Sequence, residues 1–233
     1  MTKHFSKIVV GVSLIGAPLL TLVSTLVSPA IKSDEAAQIA VIAAHPARYY
    51  LFATFTFAGI ALFVPAILGL MHLTRERAPG WGNWGGSLAL LGVIVAAGDA
   101  ATQWLVWQMG AAGADRAQMA ALLHRYDSAA GSSLPFTIGG LALVVGVVIL
   151  SIGLYRSRAV PAWVAAGFVA GIVLNIVGFS ASSVGILIVS SVILLAALAT
   201  VGWRVLAEPD DDWGEARALA LGRGRELASH PAG

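Results

Sequence analysis

Six runs of about twenty apolar residues divide this chain, and Asp99 is the only charged side chain within them that lies away from a run's end. A helix of roughly 20 apolar residues spans the hydrocarbon core of a bilayer. The runs cover residues 8–28, 50–72, 86–107, 135–155, 160–180 and 184–206. Charged residues make up only 11% of the chain, against about a quarter in soluble domains. The pattern predicts an all-α fold: an integral membrane bundle of about six transmembrane helices over 1–206, followed by a cytoplasmic tail over 207–233.

The first run follows Lys3 and Lys7 and precedes Ser28-Pro29-Ala30, as a secretory signal would. Its apolar stretch is longer than the usual signal core of about 7–15 residues, so it reads as a retained helix. Trp81, Trp84, Trp104, Trp107, Trp163 and Trp203 all fall near run ends, where aromatic side chains mark the interface. With the N-terminus inside, the inner segments hold Lys3, Lys7, Arg75, Arg77, Arg156, Arg158, Arg204, Arg217, Arg223 and Arg225. The outer segments hold Lys32, Arg48, Arg116 and Arg125. This imbalance predicts both termini in the cytoplasm. Two longer connections then lie outside, 34–48 and 114–127, and both read as short amphipathic helices on the outer face. In the second, Met119, Leu122, Leu123 and Tyr126 recur at helical spacing.

Composition also narrows the chemistry. The chain has no cysteine, which removes disulfides, thiolate catalysis and thiolate metal sites. The net charge of +2 is scattered between apolar runs, so no nucleic-acid partner is expected. His4, His45, His72, His124 and His230 show no ligand spacing within a helix, and no metal or cofactor is expected. Lys3, Lys7 and Lys32 are the only lysines and none lies within a run, which argues against retinal. An Ala- and Gly-rich chain that uses Arg over Lys suggests a bacterial source and hence the cytoplasmic (inner) membrane.

An acid within a membrane helix marks a candidate functional site. Thr102 and Gln103 follow Asp99 at three and four residues and share its helix face. Asn175 lies in the outer half of the fifth run, and Thr21, Ser24, Thr25, Ser28, Thr54, Thr56 and Thr137 lie in the outer halves of others. This asymmetry predicts a ligand pocket open to the outer face, with Asp99 at its floor and His45 and His124 above it. Arg48, Arg125, His45 and His124 are the cations that the outer loops offer to Asp99. Gly167, Gly171 and Asn175 share a face in a GxxxG-type seam, a candidate contact for a second copy of the chain.

The stretch Leu154-Tyr-Arg-Ser-Arg-Ala-Val-Pro161-Ala-Trp163, followed by Val-Ala-Ala-Gly-Phe-Val-Ala-Gly, carries a family resemblance. It resembles the bacterial polytopic membrane family designated domain of unknown function 4386, whose members have a similar Leu-Tyr-x-Ser-basic-x-x-Pro-x-Trp turn between two spans. The layout from Phe52 through Asp99 is also similar, and the resemblance covers roughly 50–206. It implies fold and location and supplies no activity. The turn itself has a plain reading: Arg156 and Arg158 anchor the inner face, Pro161 starts a helix and Trp163 marks the interface.

Three functions compete. The first is binding or movement of a small apolar or amphipathic molecule, with Asp99 as polar anchor. The second is an intramembrane lipid- or isoprenoid-modifying enzyme of terpene-cyclase type, with Asp99 as general acid. The second acid that such chemistry needs is not visible within the runs. The third is a structural or assembly subunit using the Gly167/Gly171 face.

Overall fold

All six apolar runs become helices, and most of these extend past the hydropathy that announced them, whereas α7 begins two residues inside its run. The computed structural model describes residues 2–29 and 34–207, without the side chains of Thr2, Lys3, His4 and Ser132. Lys32 and the tail with Arg217, Arg223, Arg225 and His230 lie outside the described residues. Among the described residues the protein is all-helical: α1 Thr2–Val27, α2 Glu35–Ala44, α3 Pro46–Thr74, α4 Pro79–Met109, α5 Arg116–Ser128, α6 Ala130–Arg156, α7 Ala162–Ser180 and α8 Val184–Ala207. Six of these, all but α2 and α5, are long and apolar enough to cross a membrane.

Local chemistry sets the boundaries. Pro79 opens α4 and Pro46 opens α3, since proline at a first helical position loses no intrahelical hydrogen bond. α4 therefore runs for 31 residues, about nine more than the run 86–107 suggested. His45 precedes Pro46 and stays out of the helical region, with φ −135° and ψ 54°. It ends α2 and lets 46–48 join α3, so the connection expected as one helix over 34–48 is cut at His45. Asp34 caps α2 by accepting from the Ala37 amide at 2.7 Å, and Asp115 caps α5 by accepting from Ala117 and Gln118.

The six long helices form a closed ring in the order α1, α3, α4, α6, α7, α8 and back to α1. Neighbours tested by their glycines run antiparallel. Gly11 of α1 faces Gly202 and Leu206 of α8, so the beginning of α1 and the end of α8 lie at one end of the bundle. At the α4/α6 seam, a Cβ on Gly85 would collide with the backbone of Gly146 and Leu150, and one on Gly146 with the backbone of Gly85 and Ala89. Small residues permit this approach, as is usual between membrane helices. Trp81, Trp84, Trp163 and Trp203 are exposed at the end shared with the start of α1, where the Arg156 guanidinium lies 5.6 Å from the Trp81 ring. Lys7, read as a flanking charge, is buried.

α2 and α5 lie at the opposite end, packed on each other and on α3, α4 and α6. Ile39 and Ile42 of α2 pack with Leu123 of α5, Tyr49 and Phe52 of α3 and Val106 of α4 in a cluster separate from the main core. The expected apolar stripe on α5 is divided: Leu123 and Met119 pack inward, whereas Leu122 and Tyr126 stay exposed. The face carrying Gly167 and Gly171 packs against α8 within the chain. Leu194 and Ala197 fill it, and the buried Ser190 hydroxyl donates to the Gly171 carbonyl at 3.1 Å.

Candidate functional site

The ring encloses a cavity of about 350 Å³ lined by all six long helices. Its position follows from which halves of the helices contribute. α3 supplies Phe52 to Ile67 from its first three-quarters, α4 supplies Gly92 to Asp99, the α6 lining begins with Phe136, and the α7 lining ends with Phe179. The cavity thus occupies the half of the bundle beneath α2 and α5.

The hydroxyl groups come from α1 and α3. Thr21, Ser24 and Thr25 on α1 and Ser28 just beyond its end recur at three- and four-residue spacing on the cavity side, and Thr56 of α3 bonds Ser24. Most are satisfied within the protein. Thr21 donates to the Ala17 carbonyl at 3.0 Å, Thr25 to Thr21 at 2.9 Å, and Ser24 bonds both Thr56 and the Phe52 carbonyl. Deeper walls are apolar, with Phe63, Ile67, Val147 and Phe168 nearly fully buried beneath the void.

Asp99 and Asn175 both line this cavity, from α4 and α7. Neither the Asp99 carboxyl nor the Asn175 amide hydrogen-bonds to a described residue. Asp99 is not the floor. It is the α4 lining residue closest to the α2/α5 end, and the cavity continues to Gly92, about 10 Å further along the helix. Hydropathy placed Asp99 by its distance from a helix end. It could not reveal that the neighbouring helices leave space below it.

The other expected residues lie elsewhere. Thr102 turns back along its own helix and donates to the Asp99 carbonyl at 2.7 Å. Gln103 accepts a hydrogen bond from the Tyr49 hydroxyl, tying α4 to α3. His45 is exposed at the α2/α3 break. His124 is exposed on α5 and pairs with Glu35 of α2 at 2.9 Å. That hydrogen bond holds the Glu35 carboxyl below its ordinary range. Asp127, one turn further on α5, is held above its range by partial burial first and then by the Glu35 charge. The structure therefore brings Asp99 and Asn175 into one cavity, and leaves Thr102, Gln103, His45 and His124 off its lining.

The site also contains residues outside that expected set. Ser24 and Thr56 form the polar contact between α1 and α3 at the cavity wall. Their sequence signal was the hydroxyls in the outer halves of the first and second runs. Phe63 and Phe168 offered no such signal, because an apolar residue that lines a void reads like one facing lipid. The chain matches no family model, no curated protein and no solved structure.

Proposed function

We propose that this is a multi-pass protein of a bacterial inner membrane that binds, and in doing so holds or moves, a small apolar or amphipathic molecule within the six-helix ring. One observation carries the reading: a cavity of about 350 Å³ with a hydroxyl-bearing upper wall and an apolar floor, bordered by two polar groups without a described partner. Pockets of this size and apolar character are the usual form of small-molecule sites. Asp99 serves as the polar anchor. In this reading the α2/α5 end faces outward and both termini are cytoplasmic. Its support is the positive charge of Arg75, Arg77, Arg156, Arg158 and Arg204 at the other end. Membership of the family designated domain of unknown function 4386 belongs to the same proposal, supported by the Leu154–Trp163 turn.

An enzyme with Asp99 as general acid fits less well, because Asp99 is the only carboxyl among the described lining residues. Paired acids are what divide acid and base roles in such sites.

Gly140 of α6 lines the cavity, and a Cβ added there meets nothing within 4 Å. Gly140→Leu is therefore expected to fold and to fill space that a ligand would use. Native mass spectrometry of the purified protein should find an apolar small molecule on the wild-type chain and a several-fold lower occupancy on Gly140→Leu. Equal occupancy on both would place the bound molecule outside this cavity and overturn the reading.

A further inference from the structure

The charge at Asp99 is not balanced by any described part of the chain. Asp99 is the one Asp or Glu on the cavity lining, and no Lys, Arg or His joins it among the described residues. The cations that the sequence offered are engaged or distant. Arg48 donates to the Val27 and Ser28 carbonyls at 3.3 and 3.2 Å, and Arg125 donates to the Ala121 carbonyl at 3.4 Å. His124 bonds Glu35, and His45 is exposed outside the lining. The charge of Asp127 acts on Asp99 with the same sign.

Asp99 is itself exposed, so a cation that arrives with a ligand can reach its carboxyl, and pairing the two charges offsets the cost of holding either beside apolar walls. The geometry around it suits a molecule with two unlike ends. The Asn175 side-chain oxygen and the hydroxyls of Ser24 and Thr56 supply further acceptors on the lining. Below Asp99 lie about 10 Å of cavity floored by Phe63, Ile67, Val147 and Phe168. An anionic head would meet like charge and no compensating cation on the described lining.

We propose that the cavity selects a lipophilic cation, an alkylamine in its ammonium form, with its head at the Asp99 carboxyl and its chain directed toward Phe63 and Phe168. This rests on the ligand-binding reading above and narrows it to one charge class.

Octylammonium and 1-octanol share a chain and differ only in the head, so they separate charge from apolar burial. Each is titrated calorimetrically into the full-length chain in zwitterionic nanodiscs, with empty nanodiscs as the reference for partitioning. The amine is expected to bind about tenfold more tightly than the alcohol, or ~1.4 kcal/mol. In Asp99→Asn that preference should fall below about twofold while octanol binding persists, and in Asp99→Glu it should remain. Equal affinity of the wild-type chain for both probes overturns cation selection and leaves the apolar-ligand reading in place. A full amine preference in Asp99→Asn overturns the role of Asp99. Saturable binding of neither probe overturns both readings.

Discussion

His124 Nδ1 lies 2.9 Å from Glu35 Oε1, and this contact joins α5 to α2 at the end of the bundle opposite the start of α1. Two apolar residues of α2, Ile39 and Ile42, and Leu123 of α5 pack beneath it. The two short helices thus act as one cap, held by a small apolar cluster and a surface pair.

The cap should respond to pH with two opposing signs. Glu35 titrates below its ordinary value of 4.5 because His124 hydrogen-bonds its carboxylate. Its contribution is therefore present above pH 4.5 and is lost as the pH falls through the lowered value. Asp127 titrates above its ordinary 3.8 because of burial and the Glu35 charge. Its ionised form opposes folding, and that penalty is relieved as the pH falls through the raised value toward 3.8. Thermal melts in detergent at pH 7 should show Glu35→Gln slightly below wild type and Asp127→Asn slightly above. The Asp127→Asn difference should vanish below pH 3.8, and the Glu35→Gln difference should shrink steadily as the pH falls below 4.5. A Glu35→Gln effect that does not shrink as the pH falls below 4.5 would assign it to packing instead of charge.

Tyr49 and Gln103 should behave as one unit. The Tyr49 hydroxyl, buried on α3, donates to the Gln103 side-chain oxygen of α4. Removing the hydroxyl in Tyr49→Phe leaves the amide oxygen without that donor and is expected to cost about 1 kcal/mol. Gln103→Ala should cost a similar amount, and the double variant less than the sum. Neither side chain lines the cavity, so ligand occupancy should stay within about twofold of wild type. Strict additivity in the melts would show that the hydrogen bond contributes nothing.

This pair also shows how far the sequence could be read. Gln103 shares the Asp99 face by spacing, but a shared helix face is wider than a cavity. Which part of it meets a neighbour depends on ring order, and no periodicity encodes that α4 sits between α3 and α6. The six spans were legible because each needs a sustained apolar run, and so was the polar half of the bundle, because hydroxyls concentrate there. Helix ends were less legible, since Pro79 and Gly110 set the ends of α4 and hydropathy does not. The Gly167/Gly171 seam is a case of correct pattern and undetermined partner: the small face exists, and α8 fills it.

The absence of cysteine makes orientation directly measurable. Ala112 is exposed in the turn between α4 and α5, and Glu76 is exposed in the turn between α3 and α4 at the other end. With the proposed orientation, Ala112→Cys is labelled by a membrane-impermeant maleimide in intact cells. Glu76→Cys is labelled only after lysis. The reverse pattern would invert the protein and place the α2/α5 cap in the cytoplasm.

The α4/α6 seam should tolerate no side chain at its centre. A Cβ on Gly146 would press into the backbone of Ala89, which cannot rotate away as a side chain can. Gly146→Val must separate the two helices, and overpacking of this kind costs about 3 kcal/mol. The expected result is a lower melting temperature and a loss of folded material in detergent. Gly140→Leu, six residues away on the cavity side, should show neither effect, because nothing meets an added Cβ there. Similar losses from both would mean that α6 rejects substitution through helix formation alone.

Two helix ends carry a strain that glycine should relieve. α7 stops with the Ser183 amide donating to the Gly178 carbonyl and the Ser182 amide to Phe179, the paired hydrogen bonds of a Schellman motif. The motif places Ser182 at φ 48°, where a side chain costs roughly 1 kcal/mol. α6 ends the same way, with Ala159 bonded to Leu154, Arg158 to Tyr155, and Arg158 at φ 57°. Ser182→Gly should raise the melting temperature by about 2–4 °C. Arg158→Gly should gain a comparable amount from the backbone while removing a positive charge from the end shared with the start of α1. If orientation depends on that charge, Arg158→Gly should also weaken the labelling contrast between Ala112→Cys and Glu76→Cys, whereas Ser182→Gly leaves it intact. Lower stability in Ser182→Gly would show that the serine side chain makes the turn and that its left-handed backbone stores no strain.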